Sequence, residues 1–275
     1  MKILVIDKYN YQRDLAQMDM YNVLSENYDV IFSNSENLLN FVTEDNYDYL
    51  YLGIYHPWCG DIDWDLIFSI NKKPIIIDQV DNEGFIGRID SKINYVGDSI
   101  LLSRYLPNNM LERFWKGKLE LLPWYINPDR FITQEKEIDI VFVCSINIAN
   151  RIGNDRVKMS KDIAEYCNTN KLSYVIGEYY RDTYREIITK SKAMIIDGSR
   201  YCLTQKYIEA ALSNCLIIGE KPISPPNDFI VTSLDDFDNN NDYRIIINKN
   251  RQYATETFAN KDFFLNNFKN IIKKF

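Results

Sequence analysis

Apolar and polar positions alternate along this chain in blocks rather than residue by residue. Short continuous apolar runs, "KILVID", "YDVIFS", "YDYLYLGIY" and "PIIID", are separated by longer amphipathic segments, "QRDLAQMDMYNVLSEN", "ENLLNFVTED" and "IDWDLIFSIN". A brief apolar run bounded by polar turns reads as a strand, and apolar residues three and four apart read as one face of a helix. Strands that are apolar throughout belong to sheets covered on both faces, the mark of parallel α/β architecture. The pattern breaks at "LLPWYINPDRFITQEKEI" and then starts again as "DIVFVCS", "DRVKMSKDIAEYCNTN", "LSYVIG", "RDTYREIITKSK", "AMIID", "LTQKYIEAALSN" and "CLIIG". The prediction is two doubly wound, Rossmann-like domains, over residues 1–128 and 137–258, joined near Asn127 to Glu137. Folds of this kind bind ligands at the carboxyl ends of their strands, here expected in a crevice facing both sheets. The tail "KDFFLNNFKNIIKKF", within 259–275, has the spacing of an amphipathic helix with aromatic anchors that packs back on the first domain.

Composition narrows the classes. The 275 residues, 46% hydrophobic and 14% aromatic, suffice for a large core. A formal charge of −7 argues against a protein whose main affinity is for nucleic-acid phosphates. Five scattered cysteines without a Cys-x-x-Cys pair give no support to a disulfide framework or a zinc site. No apolar run approaches the ~18–20 residues of a membrane span, and the first strand begins at Lys2, which leaves no room for a signal peptide. A soluble, cytoplasmic protein is expected.

The most informative stretch is "SRYCLTQKYIEAALSNCLIIGEKP". It follows the buried strand "AMIID" and reads as a loop, a helix capped by Thr204 and ended by a left-handed Asn214, and a further strand. If Thr204 caps the helix, the amides of Gln205 and Lys206 together with the helix dipole form a site for an anion such as a diphosphate. Glu209 lies further along the same helix, ~7 Å by helical rise, about the distance from a diphosphate to the ribose hydroxyls of its nucleotide. A carboxylate that accepts two hydroxyl hydrogen bonds suits a ribose. The plainer reading makes Glu209 a solvated partner of Lys206 or Arg200.

The order of these segments resembles the GT-B glycosyltransferases, particularly the group 1 set and its CgeB-like relatives. The likeness spans most of the chain: "SILLSRYLPNNMLERFWKGKLELLPWYINPDRF" is similar to the end of their N-terminal domain, "EIDIVFVCS" to the strand that opens the second, and "YVIGEYYRDTYREIITKSKAMIID" with "KYIEAALSNCLIIGEKP" to the stretch around the donor loop. The resemblance implies that the first domain takes the acceptor and the second the nucleotide-sugar donor, a UDP-sugar serving as co-substrate without a further cofactor. It implies that Glu209 is the ribose-binding carboxylate, that Ser199, Arg200, Thr204 and Gln205 meet the donor phosphates, and that backbone near Gly177 reads the base. It also implies an Arg and a Lys after "FVCS" that offset charge on the diphosphate leaving group. Arg151, Arg156 and Lys158 are available, and spacing favours Arg151 with Lys158. Departures from the pattern are Asn214 in place of the usual glycine, "DKYNYQ" in place of a glycine-rich turn after the first strand, and Tyr201 in place of the second acidic residue, which leaves Asp197 to orient the sugar.

In the first half, His56 follows a buried strand at the expected crevice edge and suits a group that polarises or deprotonates a hydroxyl, or else a capping residue before Pro57. Asp78 ends "PIIID", with Asp81 and Glu83 close by; one of these is a candidate base if the reaction inverts the anomeric centre, and otherwise they cap a helix or line a polar surface. No Asp-x-Asp motif stands at a suitable strand end, so metal independence is expected; "DID" at Asp61–Asp63 reads as a helix start. A response-regulator receiver fails for lack of a paired acidic motif after the first strand, and a nicotinamide enzyme for lack of Gly-x-Gly-x-x-Gly. The fold alone leaves open a sugar-nucleotide epimerase and a catalytically silent module that binds glycans or nucleic acid. The expected activity is therefore transfer of a sugar to a hydroxyl of a glycan or small acceptor. The runner-up is glucosylation of bases in DNA, as in viral enzymes of this fold, which calls for a basic surface drawn from Arg104, Arg113, Lys116 and Lys118.

Overall fold

The computed structural model describes residues 1–6, 15–33, 37–53, 63–78, 99–104, 117–144, 151–197, 203–223 and 226–275. These residues form two compact units, Met1–Tyr125 with Lys261–Phe275, and Ile126–Asn260.

The first unit is built on β1 (Lys2–Ile6), β2 (Asp29–Ser33), β3 (Tyr49–Leu52), β4 (Ile75–Asp78), β5 (Ser99–Ser103) and β6 (Lys118–Leu121), in the order β2-β1-β3-β4-β5-β6. Every pairing is parallel, with Ile3 opposite Val30 and Tyr49, and Leu101 opposite Ile77 and Leu119. Ile3, Leu4, Leu50, Leu52, Ile76 and Ile100 are completely buried, as continuous apolar strands require when both faces are covered. Helices α1 (Leu15–Asn27), α2 (Leu38–Glu44) and α3 (Trp64–Ile70) connect the early strands, and Asp63 caps α3 by accepting from the Leu66 amide at 3.1 Å.

The second unit carries β7 (Ile138–Val143), α4 (Arg151–Thr169), β8 (Tyr174–Gly177), α5 (Arg181–Thr189), β9 (Ser191–Ile196), α6 (Gln205–Leu212), β10 (Leu216–Gly219) and α7 (Arg244–Thr257). Its parallel strands run β10-β9-β7-β8. Alternate residues of β7 point one way, so Ile140, Phe142 and Cys144 pack with Ile163 and Cys167 of α4, and α6 packs on β9 and β10. Because β8 lies on one side of β7 and β9 on the other, the chain reverses its winding between β7 and β9. Such a switch point leaves room at the carboxyl ends of the two strands. Gly219 permits the close approach of β10 to β9 there: its φ is 141°, and a Cβ would stand 2.3 Å from the Ile196 carbonyl oxygen.

The last helix, α8 (Lys261–Ile272), belongs to the first unit, as its aromatic spacing predicts. Phe264, Leu265, Phe268 and Ile271 form its buried face. Phe268 meets Tyr28 and Tyr51, and Phe264 meets Tyr125, with ring centroids 5.8, 6.5 and 6.1 Å apart. Burial of four such side chains, ~2 kcal/mol each, holds the helix; its exposed pairs, Lys261 with Glu26 and Lys274 with Glu120, add little. Among the described residues, no helix is long and apolar enough to cross a membrane.

Candidate functional site

The switch point of the second unit gathers the charged groups. Asp197 directly follows β9 and has a side chain only 10% exposed. Arg156, on the second turn of α4, donates from Nε to Asp197 Oδ2 at 2.6 Å. Lys206, on the first turn of α6, donates from Nζ to the Val143 carbonyl at the end of β7 at 2.6 Å and stands 3.8 Å from Asp197 Oδ1. Four elements thus bring two cations to one carboxylate where β7 and β9 part. Burial pushes the Lys206 ammonium below the ordinary lysine range, against the upward pull of Asp197. The Lys206 side chain as a whole is 26% exposed, while its ammonium is the part turned inward to the Val143 carbonyl and Asp197. Cys144 lies beside the same groups, and burial raises its thiol pKa.

The predicted ends of α6 form in backbone geometry only, with Ser213 as the C-cap residue and Asn214 directly after it. Thr204 takes the extended conformation of an N-cap, and Asn214 is left-handed with φ 55°. The Thr204 side chain does not close the cap, however, and its Oγ1 is buried without a hydrogen-bond partner among the described residues. Buried polar atoms are ordinarily paired, which sets this hydroxyl at the helix start apart from its surroundings.

Glu209 is three residues after Lys206, which puts both on one face of α6. Its Oε2 accepts from the Tyr184 hydroxyl of α5 at 2.5 Å. Burial and then the Glu209 charge raise the Tyr184 pKa well above the usual tyrosine value, so this hydroxyl stays protonated and acts as a fixed donor. Gly177 ends β8 with φ 155° and accepts from the Cys144 amide at 3.0 Å. A Cβ there would approach the Tyr179 ring to 3.1 Å.

The helix phase rearranges the cations predicted from spacing. Lys158 lies two residues beyond Arg156, about 200° around a helix, and is exposed beside exposed Val157 and Met159. Arg156, not Lys158, reaches the carboxylate, and its companion Lys206 comes from a different helix. Arg151 opens α4, with its side chain outside the described residues; His56, Ser199 and Arg200 also lie outside them. Gln205 is the first residue of α6. Tyr184 escaped the sequence reading, its only signal being a tyrosine on the helix before the donor loop, and the Lys206 side chain, read there as a partner of Glu209, lies instead against Val143 and Asp197.

Asp78 sits elsewhere. In the first unit its side chain and that of Arg104 are fully enclosed. Asp78 accepts from Arg104 Nε, from Arg104 Nη2 at 2.7 Å and from the Tyr51 hydroxyl at 2.5 Å. Arg104 also donates to the Leu122 and Pro123 carbonyls and stacks 4.8 Å over Trp124. Its charge is therefore turned into the core and offers nothing to a basic surface. Arg113 and Lys116 lie outside the described residues, and Lys118 donates to the Lys274 carbonyl. Among the described residues, no group of three or more His, Cys, Asp or Glu is placed to hold a metal ion.

Neither a family model nor a curated protein matches the sequence. Solved structures do match the fold. The Anabaena protein HepE in complex with UDP-glucose aligns over 99% of this chain and 100% of its own, with a TM-score of 0.61 at 10% identity. HepE with UDP and glucose gives 0.59 at 10% identity over 100% and 99% of the two chains. The pneumococcal O-GlcNAc transferase GtfA, in complex with UDP and GlcNAc, gives 0.52 at 13% identity over 87% of this chain and 60% of its own. The two-unit GT-B fold expected from the sequence resemblance is the fold of this chain.

Proposed function

We propose that this protein is a metal-independent glycosyltransferase that moves a sugar from a UDP-sugar to a hydroxyl of a glycan or small acceptor in the cytoplasm. The reading draws on a fold shared with HepE and GtfA, proteins solved with UDP or UDP-sugar bound. The observation that carries it is the convergence of Arg156 and Lys206 at the switch point, beside the start of α6 with its orphan Thr204 hydroxyl.

In this reading the diphosphate lies against Arg156, Lys206, the first amides of α6 and Thr204. The bond between the anomeric carbon and the β-phosphate oxygen breaks, and its electron pair stays on that oxygen. Arg156 and Lys206 offset the charge that appears there, an interaction stronger in the transition state than in the ground state. Glu209 takes ribose hydroxyls while Tyr184 fixes its carboxylate. The acceptor hydroxyl attacks the anomeric carbon and gives up its proton; with Asp78 enclosed by Arg104 and Tyr51, the candidates to receive it are His56 and, from the same stretch as Asp78, Asp81 and Glu83, all three outside the described residues.

A thermal-shift screen of nucleotides, followed by donor hydrolysis with and without acceptors in excess chelator, tests the proposal. UDP and a UDP-sugar are expected to raise the melting temperature by several degrees near a hundredfold excess over Kd, about 2.7 kcal/mol of stabilisation. Glu209→Ala is expected to remove most of that shift. No response to any nucleoside diphosphate overturns the reading, and loss of activity with chelator overturns metal independence.

A further inference from the structure

An anion site gains no affinity from a carboxylate at its centre, yet Asp197 lies between the two cations that this one offers. Its Oδ2 accepts from Arg156 and its Oδ1 faces Lys206, so the local charge falls from two positive units to one. Stability alone is a poor account of that arrangement: a largely desolvated ion pair is weak evidence of net stabilisation, and Lys206 already has the Val143 carbonyl as an acceptor.

We propose that Asp197 is a selectivity residue that separates nucleotide-sugar from spent nucleoside diphosphate by charge and so hastens product release. The inference rests on the donor-site reading above. A diphosphate esterified at both ends carries two negative charges. Once the sugar has left, the terminal phosphate gains a second ionisable oxygen, which near neutral pH is largely charged. That third charge appears on the phosphate whose ester bond has just broken, beside the cations that Asp197 already occupies. Each unit of ligand charge is repelled by a carboxylate whose own side chain is only 10% exposed, and close to such partly buried groups these terms are several times larger than in water. Product therefore bears a larger share of the repulsion than donor. Asp197 also keeps Arg156 and Lys206 turned toward the switch point between turnovers, so the site stays organised while its affinity for product is held down.

The experiment is calorimetric titration of UDP and UDP-glucose into wild-type protein, Asp197→Asn and Asp197→Glu. The amide variant is expected to bind both ligands more tightly, with the gain for UDP exceeding that for UDP-glucose by about tenfold. In steady state it is expected to show a lower KM, a lower kcat and stronger inhibition by UDP. The Glu variant keeps the charge and is expected to keep the wild-type ratio of the two affinities. Asp197→Ser removes the same charge with a smaller group and carries the same expectation if the amide variant does not fold. If removal of the charge weakens both ligands alike, or leaves their ratio unchanged, Asp197 is only a structural partner of Arg156 and the proposal falls. If wild-type protein binds neither ligand, the donor-site reading itself has failed, a result distinct from an unchanged ratio.

Discussion

Replacement of Asp78 by Asn separates a carboxylate that does chemistry from one that closes a core. The substitution is nearly isosteric, so its effect is electrostatic: Arg104, whose side chain has no exposed surface, loses its counter-charge. In the native protein burial pushes the guanidinium pKa down while Asp78 and then Tyr51 pull it above the ordinary arginine value; without Asp78 the guanidinium still keeps its proton, as arginine does throughout proteins, and so becomes a buried cation short of its counter-charge. Removal of one partner from a buried pair costs ~3–5 kcal/mol. The remaining acceptors, the Tyr51 hydroxyl at 3.1 Å, the Leu122 and Pro123 carbonyls at 3.2 and 3.4 Å and the face of Trp124, recover only part of that. At ~3 °C per kcal/mol for a unit of this size, the melting transition of the first unit is expected to fall by about 10 °C. Differential scanning calorimetry reads the shift, and transfer assayed well below the new transition reads the chemistry. The double variant Asp78→Leu with Arg104→Met removes both charges and is expected to be more stable than Asp78→Asn. A variant that melts within about 1 °C of wild type yet loses transfer a hundredfold or more refutes the argument, because Asp78 would then act on substrate rather than on Arg104.

Further consequences concern the second unit. Gly219→Ala sets a Cβ against the Ile196 carbonyl at a φ that L residues rarely adopt; the melting temperature is expected to drop by several degrees, and UDP binding to weaken because Ile196 immediately precedes Asp197. Tyr184→Phe keeps the ring and removes the donor to Glu209, a loss of ~1–2 kcal/mol of stability, expected to lower the melting temperature by about 3–6 °C and, because the Glu209 carboxylate is no longer fixed, to weaken UDP affinity roughly tenfold by calorimetry. Lys206 loses its proton below the 10.5 of a free lysine, and only the charged form attracts a diphosphate. UDP affinity is therefore expected to decline as pH rises through the alkaline range below that value, and Lys206→Met to flatten the decline. Over the same window the unfolded chain binds more protons at this position than the native one, so the Lys206 contribution to stability rises with pH; opposite slopes for binding and stability check the sign.

The elements were legible because a fully apolar strand such as "AMIID" has one use in a parallel sheet, and because Thr204 and Asn214 each bear the backbone conformation their side chains favour. What the pattern leaves undetermined is the direction of a side chain around its helix axis relative to a neighbour that is distant in sequence. Arg156 and Lys158 are equivalent in composition and nearly so in position, yet one turns toward Asp197 and the other to solvent; the phase is fixed by where Ile163 and Cys167 must go to meet β7, a tertiary constraint. Asp78 and Arg104 pose the same problem in a harder form. Each ends a strand at the edge where ligands bind in such folds, and each has the chemistry of a site residue. The two strands are neighbours in the sheet, however, with Asp78 opposite Leu102, so the acid and the guanidinium two residues further on lie within reach of each other. A strand-end acid is therefore informative about ligands only after the residue closing the adjacent strand has been read. By that criterion Asp197 differs from Asp78: its cations come from the second turn of α4 and the first turn of α6, and both side chains keep some exposed surface, whereas Asp78 and Arg104 keep none.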